Sequence, residues 1–242
     1  MGTMKQYKEL AKYYDTIYSF KDYRNEALEL NALIRKYKKS DGNSLLDVGC
    51  GTGRHLLYLK KSFDCTGVDL NEEMLRIARD RVKGVKFIRG DMMSLSLGAK
   101  FDAIVVLFSA IGYVKTYAKL KMTIANFYNM LKPGGVLIID GWFTRKQFKV
   151  GKVHLRTSEL EGLKIARLGF SRIRGNVSIL EEHYLVAEAN RGIDYYVDVQ
   201  ELGLFEKDKF VQIMKDAGFD SRTFEASIMG RHRYLGVKPL SV

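Results

Sequence analysis

Two acids and three glycines hold the densest chemistry in this chain. Asp47 closes the apolar run Leu45-Leu46-Asp47-Val48, and Gly49, Gly51 and Gly53 follow at alternate positions before Arg54 and His55 lead into helical sequence. Glycines so placed let a backbone turn sharply and approach a ligand that a Cβ would exclude. A second acid, Asp69, lies twenty residues beyond Gly49, closes the next apolar stretch Thr66-Gly67-Val68 and is followed by Leu70. A carboxylate at that distance is placed to accept hydrogen bonds from the two hydroxyls of a ribose.

The third glycine arrives one residue too early for G-x-G-x-x-G, which disfavours a dinucleotide pyrophosphate cradle. The pattern D-x-G-x-G-x-G with a later ribose-binding acid resembles motif I of the class I S-adenosylmethionine-dependent methyltransferases. The resemblance implies a cofactor lying across Gly49, Gly51 and Gly53, with Asp47 facing its ammonium side. Further along, Arg89-Gly90-Asp91-Met92 ends another strand. Asp91 and Met92 there suit either an adenine flanked by an acid and an apolar side chain or an Asx turn beside a core methionine.

These residues need a parallel sheet behind them. Ala27, Leu30, Leu33, Ile34 and Tyr37 recur at helical spacing, and Asn71 to Val82 reads as a helix capped by Asn71 that returns to a strand at Val85 to Ile88. Ala103 to Leu107 is apolar throughout, as a parallel strand covered on both faces should be. Its end, Phe108-Ser109-Ala110-Ile111-Gly112-Tyr113, then borders the reacting centre, since ligands of open α/β sheets bind outside the carboxyl ends of strands. Leu120, Ile124, Phe127, Tyr128 and Leu131 form a helical stripe that Lys132-Pro133-Gly134-Gly135 is expected to end, before a strand from Val136 to Ile139 reaches Asp140.

From Trp142 to Leu202 the pattern changes to β-forming runs separated by Glu161-Gly162, Arg174-Gly175-Asn176 and Asn190-Arg191-Gly192. Such spacing predicts an inserted antiparallel meander. A helix over Phe205 to Ala217 and strands near Phe219 to Ala226 and Tyr234 to Lys238 complete the chain. The expected fold is α/β: a doubly wound, mostly parallel, seven-stranded Rossmann-like sheet with a C-terminal antiparallel hairpin. Residues 1–140 and 203–242 form its core, and 141–202 an inserted β-rich region for substrate or oligomerisation. The tyrosine-rich lead from Tyr7 to Tyr23 has more aromatic surface than a tail needs, so it should cover something.

Composition narrows the class of function. No apolar run is long enough to span a bilayer and no leader pattern opens the sequence, so a cytoplasmic protein is expected. Two cysteines and four scattered histidines make neither a disulfide framework nor a metal motif, and no metal is expected. The net charge of +12 points to an anionic ligand, and nine cations against two acids between Arg145 and Arg174 mark where it would bind. Nucleic acid is disfavoured as the target. Base-modifying amino methylases commonly place Asn or Asp before Pro-Pro-Tyr at the fourth-strand corner, where this chain has Phe108-Ser109-Ala110-Ile111.

Nearly the whole chain is similar to the TDP-amino-sugar N,N-dimethyltransferases of deoxyaminosugar biosynthesis. The likeness runs through Tyr14-Asp15 to Asp22-Tyr23-Arg24, the glycine corner, Gly90-Asp91-Met92, Phe101-Asp102-Ala103 to Gly112, Pro133-Gly134-Gly135, Trp142-Phe143, Leu204-Phe205 and Gly230-Arg231. It implies a homodimer, an anionic nucleotide-linked amine as acceptor, Tyr14 near that amine, Tyr23 and Phe108 near the cofactor, Trp142 at the substrate and Arg231 near the diphosphate. Three departures fall on the acceptor side: Tyr113 stands where the family has a histidine, the lead between Tyr18 and Lys21 is shorter, and a proline after Phe143 is missing. Two roles stay open for Tyr14 and Tyr113: a phenol oxygen that orients an uncharged amine by accepting its hydrogen bond, or packing in the wall of the site. A small-molecule O-methyltransferase and a non-catalytic cofactor sensor share the same glycine corner.

Overall fold

The computed structural model describes residues 10–225 and 230–240; Tyr7 and Ala226 of the elements read above lie outside the described residues. Strands β1 (Ser44–Val48), β2 (Asp64–Asp69), β3 (Lys86–Arg89), β4 (Phe101–Val106) and β5 (Leu131–Asp140) pair in parallel, while β10 (Asp220–Glu225) and β11 (His232–Val237) form the antiparallel edge. The seven strands lie in the order β10-β11-β5-β4-β1-β2-β3. The order reverses between β1 and β4, and this opens the crevice at their carboxyl ends.

Period-two alternation sorts the central strands onto two cores. Leu45, Ala103, Val105, Val136 and Ile138 face α2 (Tyr23–Tyr37), α3 (Leu56–Leu59) and α4 (Glu72–Arg81). Leu46, Ile104, Val106, Leu137 and Ile139 face α5 (Tyr117–Met130) and α6 (Lys207–Asp216). Local chemistry sets the helix starts: Asp22, Asn71 and Thr116 each accept a hydrogen bond from a backbone N–H of the first turn. The Lys132-Pro133-Gly134-Gly135 segment differs from expectation, because β5 already begins at Leu131 and its register against β4 shifts between Phe101 and Ala103. Gly134, at φ 77°, turns its carbonyl to the N–H groups of Lys39 and Ser40, so this irregular stretch ties the strand to the end of α2.

The insertion is a four-stranded antiparallel meander of β6 (Val153–Leu160), β7 (Leu163–Arg174), β8 (Val177–Glu188) and β9 (Gly192–Gly203), turning where the sequence predicts. The N-terminal lead packs on its inner face: Leu10, Tyr13 and Ile17 form a small core with Ile165, Tyr184 and Val186. No described helix is long and apolar enough to cross a membrane.

One buried carboxylate joins three strands at the amino edge of the sheet. Asp102 accepts from the Ser44 N–H (3.0 Å), the Ser44 hydroxyl (2.7 Å) and Lys132 Nζ (2.8 Å). Burial opposes its charge, but the hydrogen bonds from Lys132 and Ser44 outweigh burial and hold the carboxyl well below the usual range. A depressed pKa contributes stability that is present above the unfolded value, near pH 4, and is lost as pH falls through the folded one. Asp102→Ala should therefore cost about 3 kcal/mol at pH 7 in urea denaturation. The difference from wild type should shrink at pH 3.

Candidate active site

A cavity of about 1710 Å³ opens at the carboxyl edge of the parallel sheet and extends beneath the inserted meander. Gly49, Gly51, Asp69 and Leu70 line one end, Asp91 and Met92 flank it, and Tyr14, Phe108, Tyr113, Trp142 and Arg231 line the other. Tyr23, Asp47 and Gly53 are placed behind this surface. Gly53 sits under α4, where a Cβ would come within 3.2 Å of Ala78 and Val82. Tyr23 packs edge-on against His55 at 5.0 Å, with the Arg54 guanidinium 4.9 Å from its ring centre.

At the corner, Gly51 has φ 54° and no protein atom within 4 Å of the position a Cβ would take. Its N–H donates to Asp69 Oδ2 (2.8 Å), and the Asn71 N–H donates to Oδ1 (2.9 Å). Both oxygens are thereby aimed while retaining lone pairs for further donors. Burial raises the Asp69 carboxyl despite these backbone donors. Asp47, directly below, is 1% exposed and its Oδ1 has no hydrogen-bond partner. Burial pushes its carboxyl up to about 8, with Asp69 and Asp140 adding to the shift. An open glycine cradle, a pre-aimed acid and an uncompensated buried carboxyl fit a ligand that brings a ribose and an ammonium group. Asp91 makes the Asx turn, its Oδ1 accepting from the Met93 N–H at 2.9 Å, and the residue also lines the cavity.

The fourth-strand corner is strained. Phe108 and Ser109 have φ 50° and 64°, in the left-handed region that ordinary side chains rarely occupy. Three contacts hold them there. The Phe108 N–H donates to Asp140 Oδ2 (3.3 Å), Ser109 Oγ donates to the Gly141 carbonyl (2.7 Å), and Arg231 Nη1 donates to Ser109 Oγ (2.6 Å). Arg231 is buried among Phe108, Trp142 and Phe143, with its guanidinium 5.5–5.8 Å from their ring centres. Burial lowers its pKa. Trp142 Nε1 donates to Ser178 Oγ (2.9 Å), tying the β5 end to the meander.

Tyr14 stands on the short α1 helix (Tyr14–Ile17), its ring 4.7 Å from that of Tyr18, which meets Phe108 edge-on at 5.1 Å. Two anchors place it. Asp15 Oδ1 accepts from Thr52 Oγ1 of the glycine corner (2.8 Å) and its other oxygen pairs with Arg81, while the Tyr13 hydroxyl meets Glu188 of the meander. Several residues here went unread in the sequence. Lys21 donates to Glu26 at 2.8 Å and lies 4.0 Å from the Phe108 ring centre; His55 Nε2 meets the same Glu26 oxygen at 2.7 Å. Burial lowers the Lys21 pKa. A lone lysine before a helix carries no periodic signal that would have exposed this cluster.

A doubly wound sheet with an antiparallel edge strand and such a corner defines the class: an S-adenosylmethionine-dependent methyltransferase. Residues 45–135 match the methyltransferase domain family. The chain is 36% identical over 230 residues, covering 94% of itself and 97% of its relative, to the dTDP-3-amino-3,4,6-trideoxy-alpha-D-glucopyranose N,N-dimethyltransferase of Streptomyces venezuelae. It is 32% identical to the dTDP-4-amino-2,3,4,6-tetradeoxy-D-glucose N,N-dimethyltransferase of Saccharopolyspora spinosa, covering 94% of itself and 92% of that enzyme. The SAM-bound structure of CalS10, an amino pentose methyltransferase from Micromonospora echinaspora, superposes with a TM-score of 0.84 at 33% identity, with 93% of this chain and 96% of CalS10 covered. The chain belongs to this family of sugar N-methyltransferases.

The state of Asp47 is testable. A carboxyl raised in the folded protein contributes stability that is complete below about pH 4 and is lost as pH rises toward 8. In ligand-free protein, Asp47→Asn should raise the melting temperature above wild type by an amount that grows from pH 4 to 8 and then levels. The same variant should bind S-adenosylmethionine about tenfold or more weakly by calorimetry.

Proposed function

We propose that the protein methylates the amine of a nucleotide-linked amino sugar. The observation that carries this reading is a single cavity running from the glycine corner to a chamber walled by Tyr14, Tyr113 and Trp142 and bordered by Lys149, Lys152 and Arg156. An aromatic chamber suits a deoxysugar and a nucleoside base, and cations at its edge suit a diphosphate. The relatives named for dTDP-linked 3-amino and 4-amino sugars support an acceptor of the same chemical class.

S-adenosylmethionine supplies a methyl group already activated on a sulfonium. This chain's residues bind and orient. Asp47 offers its carboxyl to the ammonium end, Asp69 to the ribose hydroxyls, and Asp91 with Met92 to the adenine. Phe108 and the tyrosines exclude water from the space between donor and acceptor, and positioning alone in such a space lowers a barrier by several kcal/mol. The amine attacks with its lone pair and so must arrive unprotonated. The phenol oxygens of Tyr14 and Tyr113 accept its N–H bonds, and its proton leaves to solvent. Arg231 and the cations at the cavity edge hold the diphosphate.

In the same reading, residues 1–140 and 203–242 form the methyl-donor core of a cytoplasmic protein and lend Tyr14, Tyr113 and Arg231 to the acceptor, while 141–202 serve the acceptor and a homodimer. The outer face of the meander supports the last point. Cross-strand register sets Leu155 beside Leu168, and Leu185 beside Tyr195, on one exposed apolar surface. Faces of that kind commonly mark interfaces.

Incubation with S-adenosylmethionine and dTDP-linked 3-amino or 4-amino hexoses should give products carrying one or two added methyl groups by mass spectrometry. Methylation of none of them by protein that binds the methyl donor would remove the acceptor class. Sedimentation should give a dimer for wild type and a monomer for the Leu155→Lys/Leu185→Lys variant. A wild-type monomer would end the dimer proposal.

A further inference from the structure

We infer that Gln200 and Asp198 are positioning residues that fix which way the Tyr113 hydroxyl points its hydrogen, and so make its oxygen a hydrogen-bond acceptor for the substrate amine. The inference rests on the amine reading above and concerns residues that neither the motifs nor the cofactor corner touch.

The geometry is a chain of three side chains on the acceptor wall. Tyr113 stands in the 3-10 turn Ala110–Val114, which presses against β9. Gly112 permits this approach, since a Cβ there would lie 2.8 Å from the Leu202 side chain. Tyr113 Oη donates to Gln200 Oε1 (3.2 Å), and Gln200 Nε2 donates to Asp198 Oδ2 (2.9 Å). Asp198 and Gln200 are two residues apart on β9 and therefore project to one face of the sheet. Tyr113 and Gln200 line the cavity, while Asp198 is fully buried behind them. Register sets Glu182 opposite Asp198, and Glu182 is engaged by the Tyr184 hydroxyl (2.7 Å) and by Arg167 (3.5 Å).

Direction follows from donor and acceptor capacity. A carboxyl oxygen accepts, so Asp198 Oδ2 holds the amide nitrogen of Gln200 toward itself. The amide oxygen must then face Tyr113, where it takes the phenolic hydrogen. With its hydrogen given to Gln200, the Tyr113 oxygen meets a substrate group only by accepting a hydrogen bond. An amine, which carries N–H bonds, supplies that hydrogen bond; a carbonyl, which only accepts, leaves two acceptors facing each other. The network therefore favours an amine over the corresponding ketone on the same sugar.

The test measures binding of a dTDP-linked amino sugar and of its keto counterpart to protein saturated with S-adenosylhomocysteine. Wild type should prefer the amine. Asp198→Asn gives Gln200 a partner that can donate, so the amide can turn over and hand a hydrogen to Tyr113; the amine-to-ketone ratio should fall about tenfold. Tyr113→Phe should lower the ratio by a similar factor, and the double variant no further, with affinity for S-adenosylhomocysteine unchanged throughout. Should Asp198→Asn not fold, Gln200→Met reads the same ratio. A ratio that stays at its wild-type value in the folded variants, or effects that add in the double variant, overturns the network's role while leaving the amine reading intact. Wild-type protein that neither binds nor methylates the amino sugar overturns both.

Discussion

The carboxyl edge of this sheet must hold three acids in a small, largely dry space, and the rest of the site follows from how each is compensated. Asp140, at the end of β5, accepts from Arg233 Nε at 2.7 Å and from the Phe108 N–H. Asp69, at the end of β2, accepts from two backbone N–H groups supplied by the glycine corner and the start of α4. Asp47 sits between them at the end of β1 and feels both, with no partner for its Oδ1. Burying an uncompensated carboxyl is costly, and a protein tolerates it where a ligand completes the site. The ligand-free fold thus leaves a buried carboxyl oxygen without a partner beside the glycine corner.

Compensation also explains the backbone strain at the fourth-strand corner. For Asp140 to take the Phe108 N–H, the chain must leave β4 through two successive left-handed residues, and Arg231 stabilises that path by bonding to Ser109. The guanidinium that holds the strain is itself boxed by Phe108, Trp142 and Phe143. The two ends of the cavity consequently share one partition. Lys21 and Tyr18 contact the other sides of Phe108, which couples the N-terminal lead to that partition.

Periodicity made most of the architecture legible. Near-continuous apolar runs in Leu45 to Val48 and Ala103 to Leu107 announce strands covered on both faces, and turn glycines at Gly162, Gly175 and Gly192 mark each reversal of the meander. The glycine corner was equally plain, because few other structures require that spacing. Less legible were contacts made by side chains far apart in sequence. Nothing local to Ser109 signals a left-handed conformation, since Arg231, which bonds to it, lies 122 residues away. Tyr23, Gly53 and Asp47 show the converse. Their positions beside the corner were readable, but only the packing of His55, Ala78 and the strand ends reveals that they support the cavity surface from behind.

Net charge is the property most easily misread from composition alone. The cations between Arg145 and Arg174 do not form one polyanion-binding face. Arg172 and Arg174 pair with Glu181 and Glu201, and Arg167 is drawn inward to Glu182. Lys149, Lys152 and Arg156 instead border the cavity, with Arg156 4.1 Å from the Phe20 ring centre. Strand alternation sorts the cations of β6 and β7, whose neighbouring residues project to opposite faces, while Lys149 and Lys152 precede β6. A segment that reads as a uniform basic patch is thereby divided into surface ion pairs and a few cations aimed at one opening. The field of those few is focused by the aromatic walls beneath them, a geometry suited to drawing in a compact dianion rather than a long polymer.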